Sequence, residues 1–93
     1  MKVAIKKHIE GMSENEIKDV FQRDYLRRLT RYRMTDDFYM KKYNMDFKSF
    51  EKARIVDSQN YTFEVESDAQ EWELAIDGIR TVEKRLKELS GED

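Results

Sequence analysis

Cysteine is absent from this chain, which excludes disulfides, thiolate metal sites and cysteine nucleophiles and makes a reducing, cytoplasmic setting the natural expectation. Proline is absent too, and glycine occurs only at positions 11, 78 and 91, so there is no material for a flexible linker or a glycine-rich phosphate loop. No apolar run approaches the roughly 18 residues of a membrane span, and the N-terminus has no apolar core of signal-peptide length. Histidine occurs once, at His8, so a histidine-centred metal site or a Ser-His-Asp triad would have to be built around it. The plainer expectation is a surface histidine. Asp36-Asp37 and the cluster Glu64, Glu66, Asp68, Glu71 and Glu73 hold enough carboxylates for a divalent cation or an acid/base pair. Acids grouped at helix starts are more often partners of caps and dipoles, so no catalytic, metal or cofactor residues are expected, and an enzyme is not.

What is present is charge and apolar surface. Charged residues make up 41% of the chain and apolar ones 39%, too much apolar content for a wholly disordered chain. The 93 residues allow a single domain, 1–93, whose first dozen residues read as a strand or a loose arm. A chain this small hides only about 60–65% of its unfolded surface, so a partner chain would add stability. The net charge of −2 conceals a division. Between Gln22 and Tyr43 seven basic residues meet three acids, a net +4, and from Asp57 onward eleven acids meet four bases, a net −7. Each block can attract the other or a separate partner.

Met1 to Ile9 alternates at first and suits a short strand or an arm. Ser13 with Glu16 forms a capping box for a helix from about Glu14 to Arg33, whose Ile17, Val20, Phe21, Tyr25 and Leu29 follow helical spacing. Thr35-Asp36-Asp37 reads as the start of another helix through about Tyr43, ended by Asn44, and Asp46 caps a further turn or two carrying Phe47, Phe50 and Ala53. Tyr61 to Glu66 alternates apolar and polar and predicts a strand, paired with Ile55-Val56, with residues 1–9, or with a neighbouring surface. Ser67 with Gln70 then caps a long amphipathic helix to Leu89, with a seam at Trp72, Ala75, Ile79, Val82, Leu86 and Leu89, widened by Ile76 and closed by Gly91. The fold class is therefore mainly α: two or three shorter helices and a long C-terminal one, with a minor β element.

Two surfaces invite partners. Arg23, Arg27, Arg28, Arg31 and Arg33, interleaved with Tyr25 and Tyr32, suit phosphates and bases, or else form a solvated face paired with Asp24 and the acidic tail. A whole-chain pI of about 5.5 weighs against strong nucleic-acid binding. On the C-terminal helix, Trp72 suits either a core or a partner's pocket. Gly78, in mid-helix, costs about 1 kcal/mol against alanine and so calls for a packing reason.

The segment from Phe38 to Leu89 contains Lys42-Tyr43-Asn44-Met45-Asp46-Phe47-Lys48-Ser49-Phe50-Glu51, then an acidic stretch with Glu71-Trp72-Glu73, then a helix ending Arg85-Leu86-Lys87-Glu88-Leu89. It resembles small antitoxin-like proteins of archaea and bacteria, in which a K-Y-x-M-x-x-x-x-F pattern precedes an acidic stretch with Trp and a C-terminal helix. The resemblance covers a little over half the chain, and the first third departs from it. It implies a non-enzymatic protein, encoded beside a small toxin that is often a ribonuclease, which wraps that toxin and can regulate its own promoter. The residue pattern agrees: Tyr61 and Phe63 in an extended segment that docks on the partner, Trp72, Ile76 and Ile79 as apolar anchors, and Glu64, Glu66 and Glu73 meeting cations of a basic protein. A nucleic-acid-binding regulator using the arginine face and a homo-oligomeric helical protein are the alternatives, and no membrane partner is expected.

Overall fold

The computed structural model describes residues 11–58 and 62–91, and they are almost entirely helical. Helix α1 spans Glu14–Tyr43, α2 Phe47–Lys52, the single turn α3 Ile55–Ser58, and α4 Phe63–Ser90. The long helices α1 and α4 lie antiparallel as a hairpin, and α2 and α3 fold back over one end of it. No described helix is long and apolar enough to cross a membrane.

Several ends fall where the composition puts them. The Ser13 hydroxyl accepts from the Glu16 amide at 3.2 Å, Asp46 accepts from the Ser49 amide at 2.8 Å, and Asn44 and Gly91 close α1 and α4 in the left-handed conformation. One expected boundary is missing. Thr35-Asp36-Asp37 does not restart a helix, and α1 runs through it for 30 residues. The side chains that could have capped are engaged otherwise. Thr35 donates to the Arg31 carbonyl at 3.2 Å, Asp36 accepts from the Trp72 indole at 2.8 Å, and Asp37 pairs with Lys41 at 2.9 Å.

The strand expected over 61–66 is likewise replaced. Tyr61 and residues 1–9, including His8, lie outside the described residues, while Thr62 is the N-cap of α4 and Phe63 to Glu66 form its first turn. A strand here would have no ladder to join among the described residues. As helix, the segment lengthens the seam: Val65, Asp68, Trp72, Ala75, Ile79, Val82, Leu86 and Leu89 recur in steps of three and four. The seam therefore begins before Ser67, and its second position is an acid.

Packing is uneven along the hairpin. Near the α2 end, Trp72 has no exposed surface and is enclosed by Tyr39, Tyr43, Phe47 and Phe50, with ring centroids 5.7, 6.0, 5.2 and 5.0 Å away. Val65 completes this core, and Met40, Met45, Ile55, Val56, Ala69 and Ile76 lie against it. Toward the far end only Leu29 and Val82 are buried among the described residues, where α1 and α4 have no third described helix against them.

Gly78 has the packing reason its position called for: a Cβ there would come within 2.5 Å of the Tyr32 ring. Gly78→Ala is expected to lose about 1 kcal/mol, because about 1–3 kcal/mol of overpacking outweighs about 1 kcal/mol of helix propensity. In a Tyr32→Ala background the same change should instead gain about 1 kcal/mol, since only propensity remains. Urea denaturation of the four chains reads both signs. A Gly78→Ala gain with Tyr32 present would place the ring elsewhere.

Candidate functional site

The residues that form the K-Y-x-M-x-x-x-x-F pattern meet α4 where α1 ends. Lys42 donates to Asp68 at 2.6 Å and to Glu64 at 2.9 Å, and the Tyr43 hydroxyl donates to Asp68 at 2.6 Å. One turn away the Tyr39 hydroxyl donates to Glu71 at 2.7 Å. Met45, Phe47 and Phe50 pack under the same core. The pattern therefore specifies the joint between the two long helices.

The electrostatics follow from that joint. Burial works to raise the Asp68 carboxyl, but hydrogen bonds from Lys42 and Tyr43 outweigh it and hold it below the usual range. The same carboxylate, with Glu64, keeps Lys42 protonated above its ordinary value. Burial, helped by the bond to Asp68, pushes the Tyr43 phenol up to about 12. Tyr39 is raised by burial and by Glu71. Every buried polar side-chain atom among the described residues has a partner. This is a structural lock in which each group stabilises its neighbour's resting protonation state, rather than a pair poised near neutral pH. The described residues contain no group of three or more side chains that could hold a metal ion.

The partner-binding candidates fall into two sets. Trp72 has no surface to offer, since the aromatic cluster that its seam position assembles covers it completely. Ile76 and Ile79 are half-buried between the helices. The exposed ones are Phe63, with 85% of its surface in solvent, Glu64 and Glu73, with Glu66 half-buried beside them. Leu74, 69% exposed, joins them on the outer side and was signalled in the sequence only by lying off the seam. Glu73 also lines a groove of about 270 Å³ with Phe47, Phe50, Ile55, Val56 and Ala69, and Ile76 lines a second of about 400 Å³ on the other side of α2.

Residues 62–77, from the cap of α4 to its middle, carry six acids and no base. Among the described residues only Glu64 and Asp68 of these six have an ion-pair partner, and both share Lys42. The arginines lie elsewhere, along α1 beside the C-terminal half of α4, where Arg33 reaches Glu83 at 3.2 Å. The acidic stretch thus does not neutralise the arginine face. The Lys42–Asp68 pairing and the continuation of the seam into residues 62–66 were missed from the sequence. The three-and-four spacing running back from Trp72 through Asp68 to Val65 was the signal. No protein-family model, curated protein or solved structure matches this chain.

Proposed function

We propose that this protein is a non-enzymatic protein-interaction module of antitoxin type, which binds a small basic protein through the acidic half of α4 and neutralises it. The observation that carries this reading is the outer surface of residues 62–77: the exposed acids Glu64, Glu71, Glu73 and Asp77, no base in the stretch, and two large apolar side chains, Phe63 and Leu74, held out in solvent. Isolated apolar residues on a surface are ordinary, but here they stand on one helix among carboxylates of which Glu66, Glu71, Glu73 and Asp77 have no ion-pair partner among the described residues. A cationic partner with apolar recesses complements both features, and its charge would also speed encounter. The groove of about 270 Å³ beside α2 adds Phe47, Ile55 and Val56 next to Glu73, with Glu51 and Arg54 in its wall. The resemblance to antitoxin-like proteins selects a toxin, often a ribonuclease, as that partner.

Co-expression with the protein encoded in the adjacent reading frame tests the proposal. A stable complex is expected, weakened at least tenfold by the double change Phe63→Ala and Leu74→Ala. Both side chains are exposed, so the helix should keep its circular dichroism. If the neighbouring protein does not associate, or associates equally well with the double variant, this surface is not the contact.

A further inference from the structure

The hairpin sorts charge by position along its length in a way that the linear order of the chain conceals. Residues 18–35 of α1 and 78–90 of α4 lie side by side, as the Arg33–Glu83 bridge and the seating of Tyr32 over Gly78 require. Together they carry ten basic residues and four acids, a net +6, in a chain whose total is −2. All four acids are taken: Asp19 by Arg23, Asp24 by Arg28, Glu83 by Arg33 and Glu88 by Arg85. Six cations, Arg27 and Arg31 among them, are left without an acid among the described residues. The acids from Glu64 to Glu73 lie toward the opposite end of the hairpin and pair with none of these six cations. The whole-chain pI therefore says nothing about this half of the molecule.

The same half presents rings. Phe21, 45% exposed, stacks on Tyr25 with centroids 6.4 Å apart. The pair lines an open cleft of about 260 Å³ with Leu89 and the ion-paired Arg85 and Glu88. Farther along α1, Arg28, Arg31, Tyr32 and Thr35 line a second cleft of about 350 Å³. From Phe21 to Thr35 the helix rises roughly 21 Å, the axial length of about six stacked nucleotides at 3.4 Å each.

We infer that this basic half of the hairpin binds single-stranded nucleic acid, with Arg27 and Arg31 meeting phosphates, Arg28 joining them by giving up its solvent-exposed pair with Asp24, and the Phe21–Tyr25 pair stacking on a base. Unpaired cations on a helix release counterions when they meet a phosphate backbone, and an exposed ring gains by stacking on any base. A duplex hides its base faces and leaves Phe21 without a role, so the single strand is the form selected. The surface is separate from the acidic half of α4, and the inference does not depend on the function proposed for that half.

Fluorescence anisotropy of the full chain with a labelled single-stranded RNA of mixed sequence tests it, alongside the matching duplex and vesicles containing phosphatidylserine. Binding to the single strand should fall as salt rises, with a log–log slope of roughly −2 for three phosphate contacts. Arg27→Gln with Arg31→Gln should weaken it at least tenfold and flatten that slope by about 1.4. Phe21→Ala should weaken it about tenfold with the slope unchanged, because stacking is not ionic. Circular dichroism confirms that each variant is folded. Absence of binding at low salt overturns the inference, as does equal affinity for the duplex or the vesicles, or indifference to the arginine changes. A salt-sensitive dimer in sedimentation that binds no RNA would also overturn it, showing that the acidic end of a second copy occupies the surface.

Discussion

Trp72→Ala should remove most of the stability of this protein. The indole has no exposed surface, touches four aromatic rings and donates its N–H to Asp36 at 2.8 Å. Truncating a buried Trp to Ala costs about 3–5 kcal/mol in lost contacts and cavity. A domain of this size has in total only about 5–14 kcal/mol, so the variant is expected to be largely unfolded well below the melting temperature of the parent. Trp72→Phe should lose less, because it keeps much of the packing and forfeits chiefly the bond to Asp36. Thermal melts followed by circular dichroism check both. A Trp72→Ala chain within about 1 kcal/mol of the parent would mean that the three-layered end of the hairpin is not the stabilising core. The same result bears on partner binding, since loss of a complex with Trp72→Ala would report unfolding and not a lost contact.

Asp68→Ala is expected to be the next most damaging change. It strips Lys42 and Tyr43 of their shared acceptor at the joint between α1 and α4. Hydrogen bonds to a charged group contribute about 1.5–3 kcal/mol, and solvent over Lys42 screens the pair, so a loss of about 2 kcal/mol is expected. Lys42 keeps 33% of its side chain in water, against 12% for Asp68. The effect should also appear in pH dependence. Asp68 titrates lower in the folded chain than in the unfolded one, so its contribution is present above about pH 4 and is lost as acid drives the pH down through the folded value. Tyr43 titrates higher when folded, up to about 12, and Lys42 moves the same way. Their contribution is intact below about pH 10 and is lost as the pH rises beyond it, because the unfolded chain releases those protons first. Asp68→Asn should therefore flatten both the acid and the alkaline limbs of a stability–pH curve, leaving the part of the Tyr43 shift that comes from burial. Unchanged limbs would break the link between this triad and the fold.

The two charged ends bear on how the surfaces act together. The acidic half of α4 and the basic half of the hairpin are separated along a rigid pair of helices, so neither masks the other. A cationic protein bound at one end, as proposed, would leave Arg27 and Arg31 open at the other.

Much of this architecture could be read from the residues alone. Ser13, Asn44, Asp46 and Gly91 mark helix ends because capping is local chemistry, settled within three or four residues. The apolar repeat from Trp72 to Leu89 predicts its own helix for the same reason, and the odd glycine in it pointed to a close approach. What local pattern could not decide was every competition between a local and a distant partner. Asp36 could cap a helix or accept from an indole 36 positions away, and the indole won because a buried N–H must be satisfied. Residues 62–66 could alternate as a strand or turn as a helix. They turned because burying Val65 and Asp68 on the existing seam joins the long core, whereas the described residues offer a strand no ladder. Trp72 was legible as core or as anchor but not as one over the other, since that depends on which rings α1 and α2 bring to it. The antiparallel pairing of α1 and α4 likewise made a dipole of charges that composition averages to −2, because Coulomb interactions depend on distance in space and composition records none.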